Sequence, residues 1–120
     1  MARKLVVKVT CGPEDPERLS QALTVAATAV ASGVEVSLWL TGEAAWLGVA
    51  NRVPELGLTH AVPLADLVEA VRAGGEITVC TQCAARRGIE AEDLTTGVRI
   101  AGAATFLEES LADGTQALVY

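Results

Sequence analysis

A chain of 120 residues is the usual size of one folding unit, and residues 1–120 are read as a single domain. Hydrophobic residues form 51% of it and charged residues 20%, which argues against disorder, while aromatics at 3% leave Ala, Val and Leu to fill the core. The net charge of −6 argues against a phosphate-tracking face, and no apolar run reaches the roughly 20 residues that span a bilayer, so neither nucleic acid nor membrane is an expected partner.

Lys4 to Thr10 reads as a first strand. Leu5, Val6, Val7 and Val9 are nearly continuous, as in a strand buried on both faces. The Val-rich start resembles the core of an export signal, but Lys8 interrupts it and no small-residue cleavage site precedes Cys11-Gly12-Pro13. The chain is therefore read as cytoplasmic. Asp15 is a good N-cap and Pro16 suits the first helical position, so a helix runs from there to about Ser32, with Leu19, Leu23, Ala26, Ala27 and Val30 on one face and Gly33 as its stop.

Val34 to Leu40 reads as the second strand, and Thr41-Gly42-Glu43 turns the chain. Ala44 to Ala50 has a helical pattern limited by Asn51, Pro54 and Gly57. Ala61-Val62-Pro63 reads as a short edge strand, because Pro cannot donate to a central ladder. Leu64 to Ala73 is helical, ended by Gly74-Gly75, and Glu76 to Cys80 is the next strand. A short helix from about Gln82 to Arg87, closed by Gly88, leads through acidic Glu90 to Asp93 to Val98-Arg99-Ile100. A helix over Ala103 to Ala112 and a strand over Gln116 to Tyr120 complete the chain. The alternation predicts an α/β fold, a three-layer sandwich with a mostly parallel sheet of about five strands and helices on both faces.

The chemistry centres on sulfur. Three cysteines, Cys11, Cys80 and Cys83, cannot all pair within one chain, and without an export signal they read as free or reactive thiols. In open parallel sheets reacting groups collect at the carboxyl ends of the strands, and Cys80 stands at such an end, followed by helix-forming residues whose amides lower a thiol pKa. Cys83 lies about one helical turn on and can share the site or resolve it. Cys11 keeps its default reading as a small buried hydrophobe.

Other uses of these residues compete. Cys11, Cys80, Cys83 and the single histidine, His60, would make a Cys₃His metal set, but the second CxxC or HxxxH half of a zinc site is missing, and no metal or other cofactor is expected. His60 reads as a surface histidine. Arg86 and Arg87 either steer an anionic sulfur species or are solvated arginines at a helix end. Trp39 and Trp46 read as core or subunit-interface residues, and Cys11-Gly12-Pro13 lacks the spacing of a phosphate loop.

The stretch Cys80-Thr81-Gln82-Cys83-Ala84-Ala85-Arg86-Arg87-Gly88-Ile89 resembles the cysteine segment of the DsrE/DsrF/TusD-like sulfur-relay family: a strand ending in Cys, a short Ala-rich helix, then Arg-Gly and an aliphatic residue. Ala101 to Leu111, with the strand to Tyr120, resembles the family's closing helix and strand. The resemblance implies a DsrE-like domain acting in sulfurtransferase-type chemistry. Cys80 would accept sulfane sulfur as a persulfide and pass it to a partner thiol, with Cys83 assisting. It also implies donor and acceptor proteins as partners and a homo-oligomer, trimer or hexamer. Some relatives carry a further cysteine near the C-terminus, and Ser110 to Tyr120 has none. Two other readings stay open: a non-catalytic homo-oligomeric module with structural cysteines, and a Cys80/Cys83 thiol–disulfide redox module.

Overall fold

The structure, a computed structural model, describes residues 3–120, so the reading of the chain start at Met1 and Ala2 lies outside the described residues. Five strands, β1 (Lys4–Val9), β2 (Glu35–Leu40), β3 (Glu76–Cys80), β4 (Arg99–Ala101) and β5 (Thr115–Val119), form one sheet in the order β4-β3-β2-β1-β5. Every neighbouring pair is parallel. Four helices connect them: α1 (Pro16–Ala31), α2 (Leu64–Gly74), α3 (Thr81–Arg86) and α4 (Ala103–Ser110). This is the α/β sandwich that the alternation predicts.

The register explains why the two faces of the sheet differ. Side chains alternate along each strand, so aligned residues share a face. Val7, Leu38 and Ile77 align, as do Val9, Leu40 and Val79, and these buried residues meet α1 and α2. Lys8, Trp39, Thr78 and Arg99 align on the opposite face, beneath α4. The first face is an apolar core. Each fully buried Leu or Ile there contributes roughly 1.5–3 kcal/mol by leaving water.

Helix α1 starts where Asp15 accepts the backbone N–H of Arg18 at 3.4 Å and buries Leu19, Ala22, Leu23 and Ala26. Helix α2 buries Leu64, Leu67 and Val71 beside it. The helices approach closely at Gly74, where a Cβ would sit 2.4 Å from Cγ1 of Val30, so glycine there is a packing requirement.

Two elements differ from the sequence reading. Ala61-Val62-Pro63 is no strand: the carbonyl of Pro63 accepts the amides of Asp66 and Leu67 at 3.0 and 3.2 Å, so it opens α2, and Val62 is exposed. The helical pattern of Ala44 to Ala50 is a 3-10 segment over Gly42–Gly48, started earlier by the turn and packed with Ala44, Ala45 and Leu47 in the core. The edge strand next to β3 is instead Arg99–Ala101.

Candidate active site

The carboxyl end of β3 carries Cys80, half-buried, on the polar face with Thr78. Its neighbour β2 is followed by Thr41, whose amide and hydroxyl both donate to the carbonyl of Val9 at 3.0 and 2.8 Å. That anchor fixes the next residue. Gly42 has φ +57, and a Cβ there would lie 2.7 Å from the carbonyl oxygen of Thr10, so only glycine fits the turn. The turn aims the Gly42 N–H at Sγ of Cys83, 3.2 Å away.

Cys83 is 8% exposed, within α3, among Ala84 and other core residues. Helix α3 has six residues, too few for a strong macrodipole, so the nearby amides act individually. Burial pushes the Cys80 thiol up. Against this, the amide and thiol of Cys83, the amide of Gln82 and the charge of Lys8 together bring it below the ordinary 9.0. The amides face the sulfur without forming a cap hydrogen bond of ordinary geometry, and their effect is electrostatic. A thiol held down in this way is more fully a thiolate near neutral pH.

The other cysteine behaves oppositely. Cys11 is 5% exposed, its Sγ faces the carbonyl of Asp15 at 3.9 Å, and burial followed by the charges of Asp15 and Glu14 pushes its pKa up. With β2 between them, β1 and β3 run about 10 Å apart, at roughly 4.8 Å per strand, and Cys11 lies two residues beyond the end of β1. The structure thus brings Cys80 and Cys83 together and leaves Cys11 in the core. His60 is exposed in a turn with φ 58, and among the described residues no three His, Cys, Asp or Glu side chains gather as a metal site.

Arg87 is tied down. Its Nε lies 2.6 Å from Glu43 Oε2, and Nη1 donates to the carbonyl of Cys83 at 3.1 Å, so it braces the 3-10 segment against α3. Arg86 is exposed. Trp39 is buried, edge-on to Phe106 at 5.4 Å between ring centroids, whereas Trp46 is half-buried beneath the Arg52 guanidinium at 4.1 Å. Two contributors went unnoticed in the sequence. One is Gly42, hidden in an ordinary turn; the other is Lys8, whose charge within an apolar strand was the visible signal.

Glu109 holds α4 to this face. Ser37 Oγ donates to its carboxylate at 2.6 Å, Trp39 Nε1 at 3.3 Å, and Arg99 also bonds it; Arg99 further donates to Thr78 Oγ1 at 2.6 Å. Burial would raise the Glu109 pKa, but these donors lower it. A cavity of about 600 Å³ lined by Lys4, Val34 and Gly114 lies at the other end of the strands, away from Cys80.

A parallel α/β sheet that places an acidified thiol at the carboxyl end of a central strand defines a thiol-bearing α/β protein of the doubly covered class. Residues 3–119 match the DsrE/DsrF-like family, and the chain belongs to that family. It is 32% identical over 98 residues to an uncharacterized protein of Methanocaldococcus jannaschii, covering 82% of this chain and 83% of that one. It is 31% identical over 97 residues to one from Methanopyrus kandleri, covering 81% and 78%. The fold is similar to that of the YchN protein from Escherichia coli, with a TM-score of 0.80 at 21% identity over 100% of both chains. It is also similar to a protein of unknown function, MTH1491, from Methanobacterium thermoautotrophicum, with a TM-score of 0.73 at 12% identity over 98% and 99%.

Proposed function

We propose that this chain is a cytoplasmic sulfur carrier whose Cys80 accepts sulfane sulfur as a persulfide and delivers it to the thiol of a partner protein. The observation that carries this reading is the placement of a half-buried thiol at the carboxyl end of β3, directly before α3, whose first amides help to lower its pKa, in a family associated with sulfur relay. In loading, the Cys80 thiolate attacks the outer sulfur of a donor persulfide, R–S–SH. The new S–S bond forms as the donor's S–S bond breaks, the donor leaves as R–S⁻, and the proton stays with the transferred sulfur. In delivery, an acceptor thiolate attacks that outer sulfur and Cys80 departs as thiolate. Neither step needs an added oxidant or reductant.

Assembly is part of this proposal. Helix α4 buries no residue, and Leu111 at its C-terminal end and Val119 on the edge strand β5 are 73% and 64% exposed. An edge strand and an apolar surface together favour packing against further copies, in a trimer or hexamer. No helix among the described residues is long and apolar enough to cross a membrane.

Incubation with a persulfide donor followed by peptide mass analysis tests the carrier reading. The expected result is a gain of about 32 Da, one sulfur atom, on the Cys80 peptide, transferable to an acceptor thiol. Sulfur on neither Cys80 nor Cys83 overturns it. A reversible loss of two hydrogen atoms from the unloaded pair under an added thiol oxidant, the mark of a Cys80–Cys83 disulfide, would instead indicate a redox module.

A further inference from the structure

Cys80 and Cys83 sit one turn apart but are not equivalent. Cys80 is half-buried at the end of β3, while Cys83 is 8% exposed and faces inward. A buried sulfur is a poor target for a partner protein's thiol. Cys83 Sγ already accepts the Gly42 N–H at 3.2 Å, so its lone-pair side is occupied and its own S–H remains to be donated. Cys80, the residue preceding α3, stands three positions before Cys83, one helical turn away, and the Cys83 side chain is among the groups that bring the Cys80 pKa down.

The scaffold holds this geometry from both sides. Gly42 is fixed by the Thr41 anchor on β1 and by a backbone shape that only glycine takes at that close approach to Thr10. The backbone of Cys83 is fixed by Arg87, which grips its carbonyl and Glu43 in the same 3-10 segment as Gly42. Such bracing is superfluous for a thiol that swings out to collect sulfur. It suits one that must stay still.

We propose that Cys83 is a positioning residue, an internal donor whose thiol, oriented by the Gly42 amide, hydrogen-bonds the sulfur of Cys80. This inference rests on the carrier reading and gives its second cysteine a role. Cys80 Sγ bears negative charge before it attacks and again as it leaves, and in the persulfide between those steps that charge is gone. A donor at Cys83 therefore raises the thiolate fraction available for loading and stabilises the departing thiolate in delivery, while taking no sulfur itself. A resolving thiol does something else: it attacks the inner sulfur of the persulfide, forms a Cys80–Cys83 disulfide and expels hydrogen sulfide, which discards the cargo.

Cys83→Ala and Cys83→Ser separate the two roles, with circular dichroism checking that each folds. The first readout is the alkylation rate of Cys80 against pH, followed on its own peptide. The charged groups around the pair, Lys8 on β1 and the Glu43–Arg87 bridge, remain in both variants. Cys83→Ala is expected to move the profile to higher pH and slow alkylation at neutral pH by about three- to tenfold, as for loss of one weak donor to a charged acceptor, and Cys83→Ser to restore most of it. An unchanged profile in Cys83→Ala overturns the proposal. The second readout is the lifetime of the Cys80 persulfide without acceptor: it is expected to match the parent protein, whereas a longer lifetime with no hydrogen sulfide released identifies a resolving thiol and also overturns it. If Cys83→Ala fails to fold, the Ser variant decides, since sulfide release that ceases in it marks resolution and persistent Cys80 reactivity marks donation. The alkylation readout involves no sulfur transfer, so it stands even if the carrier reading fails.

Discussion

The two faces of one sheet are built on different physics. Beneath α1 and α2 the contacts are aliphatic, from Val7, Val9, Leu38, Leu40, Ile77 and Val79, and they exclude water. Beneath α4 the contacts are polar and aromatic, with Glu109 binding Ser37, Trp39 and Arg99, and Lys8 lying 4.9 Å from the centre of the Phe106 ring. The first face holds the fold; the second leaves room for a charged sulfur beside a lysine. Cys11 and Cys80 make the same contrast within one residue type, since burial drives one thiol up while amides and Lys8 bring the other down.

That division can be broken most severely on the aliphatic face. Leu38→Ala, at a fully buried position in the central strand, is expected to lower stability by about 3 kcal/mol in urea denaturation, through lost burial and the cavity left behind. A loss under 1 kcal/mol would mean that the core repacks freely there. On the polar face Glu109→Ala leaves Ser37, Trp39 and Arg99 without their shared acceptor, and about 2 kcal/mol is expected. The sign with pH follows from its lowered pKa. Stabilisation by Glu109 is complete above the ordinary 4.5 and is lost as pH falls through the lower folded value, so Glu109→Gln should flatten the acid side of the stability curve in that window.

A smaller effect is expected from Arg87→Ala. Its partner Glu43 is half exposed, so the ion pair contributes only about 0.5–1 kcal/mol, yet Cys80 alkylation should also slow slightly as the Cys83 carbonyl is released. Equal stability and equal reactivity would show that the brace is idle. For assembly, Leu111→Asp combined with Val119→Asp is expected to shift light-scattering mass toward the monomer with little change in fold, because both side chains are exposed within one chain. An unchanged mass would locate the copies' contact elsewhere.

Much of this was legible in the sequence because local signals agreed with the fold. The Val-rich first strand, the Asp15-Pro16 helix start and the Cys80 strand end all lie where periodicity and capping place them. The failures have physical reasons. Ala61-Val62-Pro63 has strand-like residues, but Pro63 is better used as a helix start, where its carbonyl is needed and its missing N–H costs nothing. Gly42 gave no sign of its contact with Cys83, because the two lie 41 residues apart in the chain. Glu109 looked like one more surface acid. Its role emerges only when the crossover from β4 to β5 carries α4 over Ser37 and Trp39, 72 and 70 positions away.

Native-state alkylation of the three cysteines, followed peptide by peptide from mildly acidic to alkaline pH, tests the central claim most directly. Cys80 should react first, with a midpoint below the 9.0 of an ordinary thiol, while Cys11 stays unmodified until the protein unfolds. A Cys80 that reacts no faster than Cys11, or only as its midpoint climbs above that value, would contradict the account.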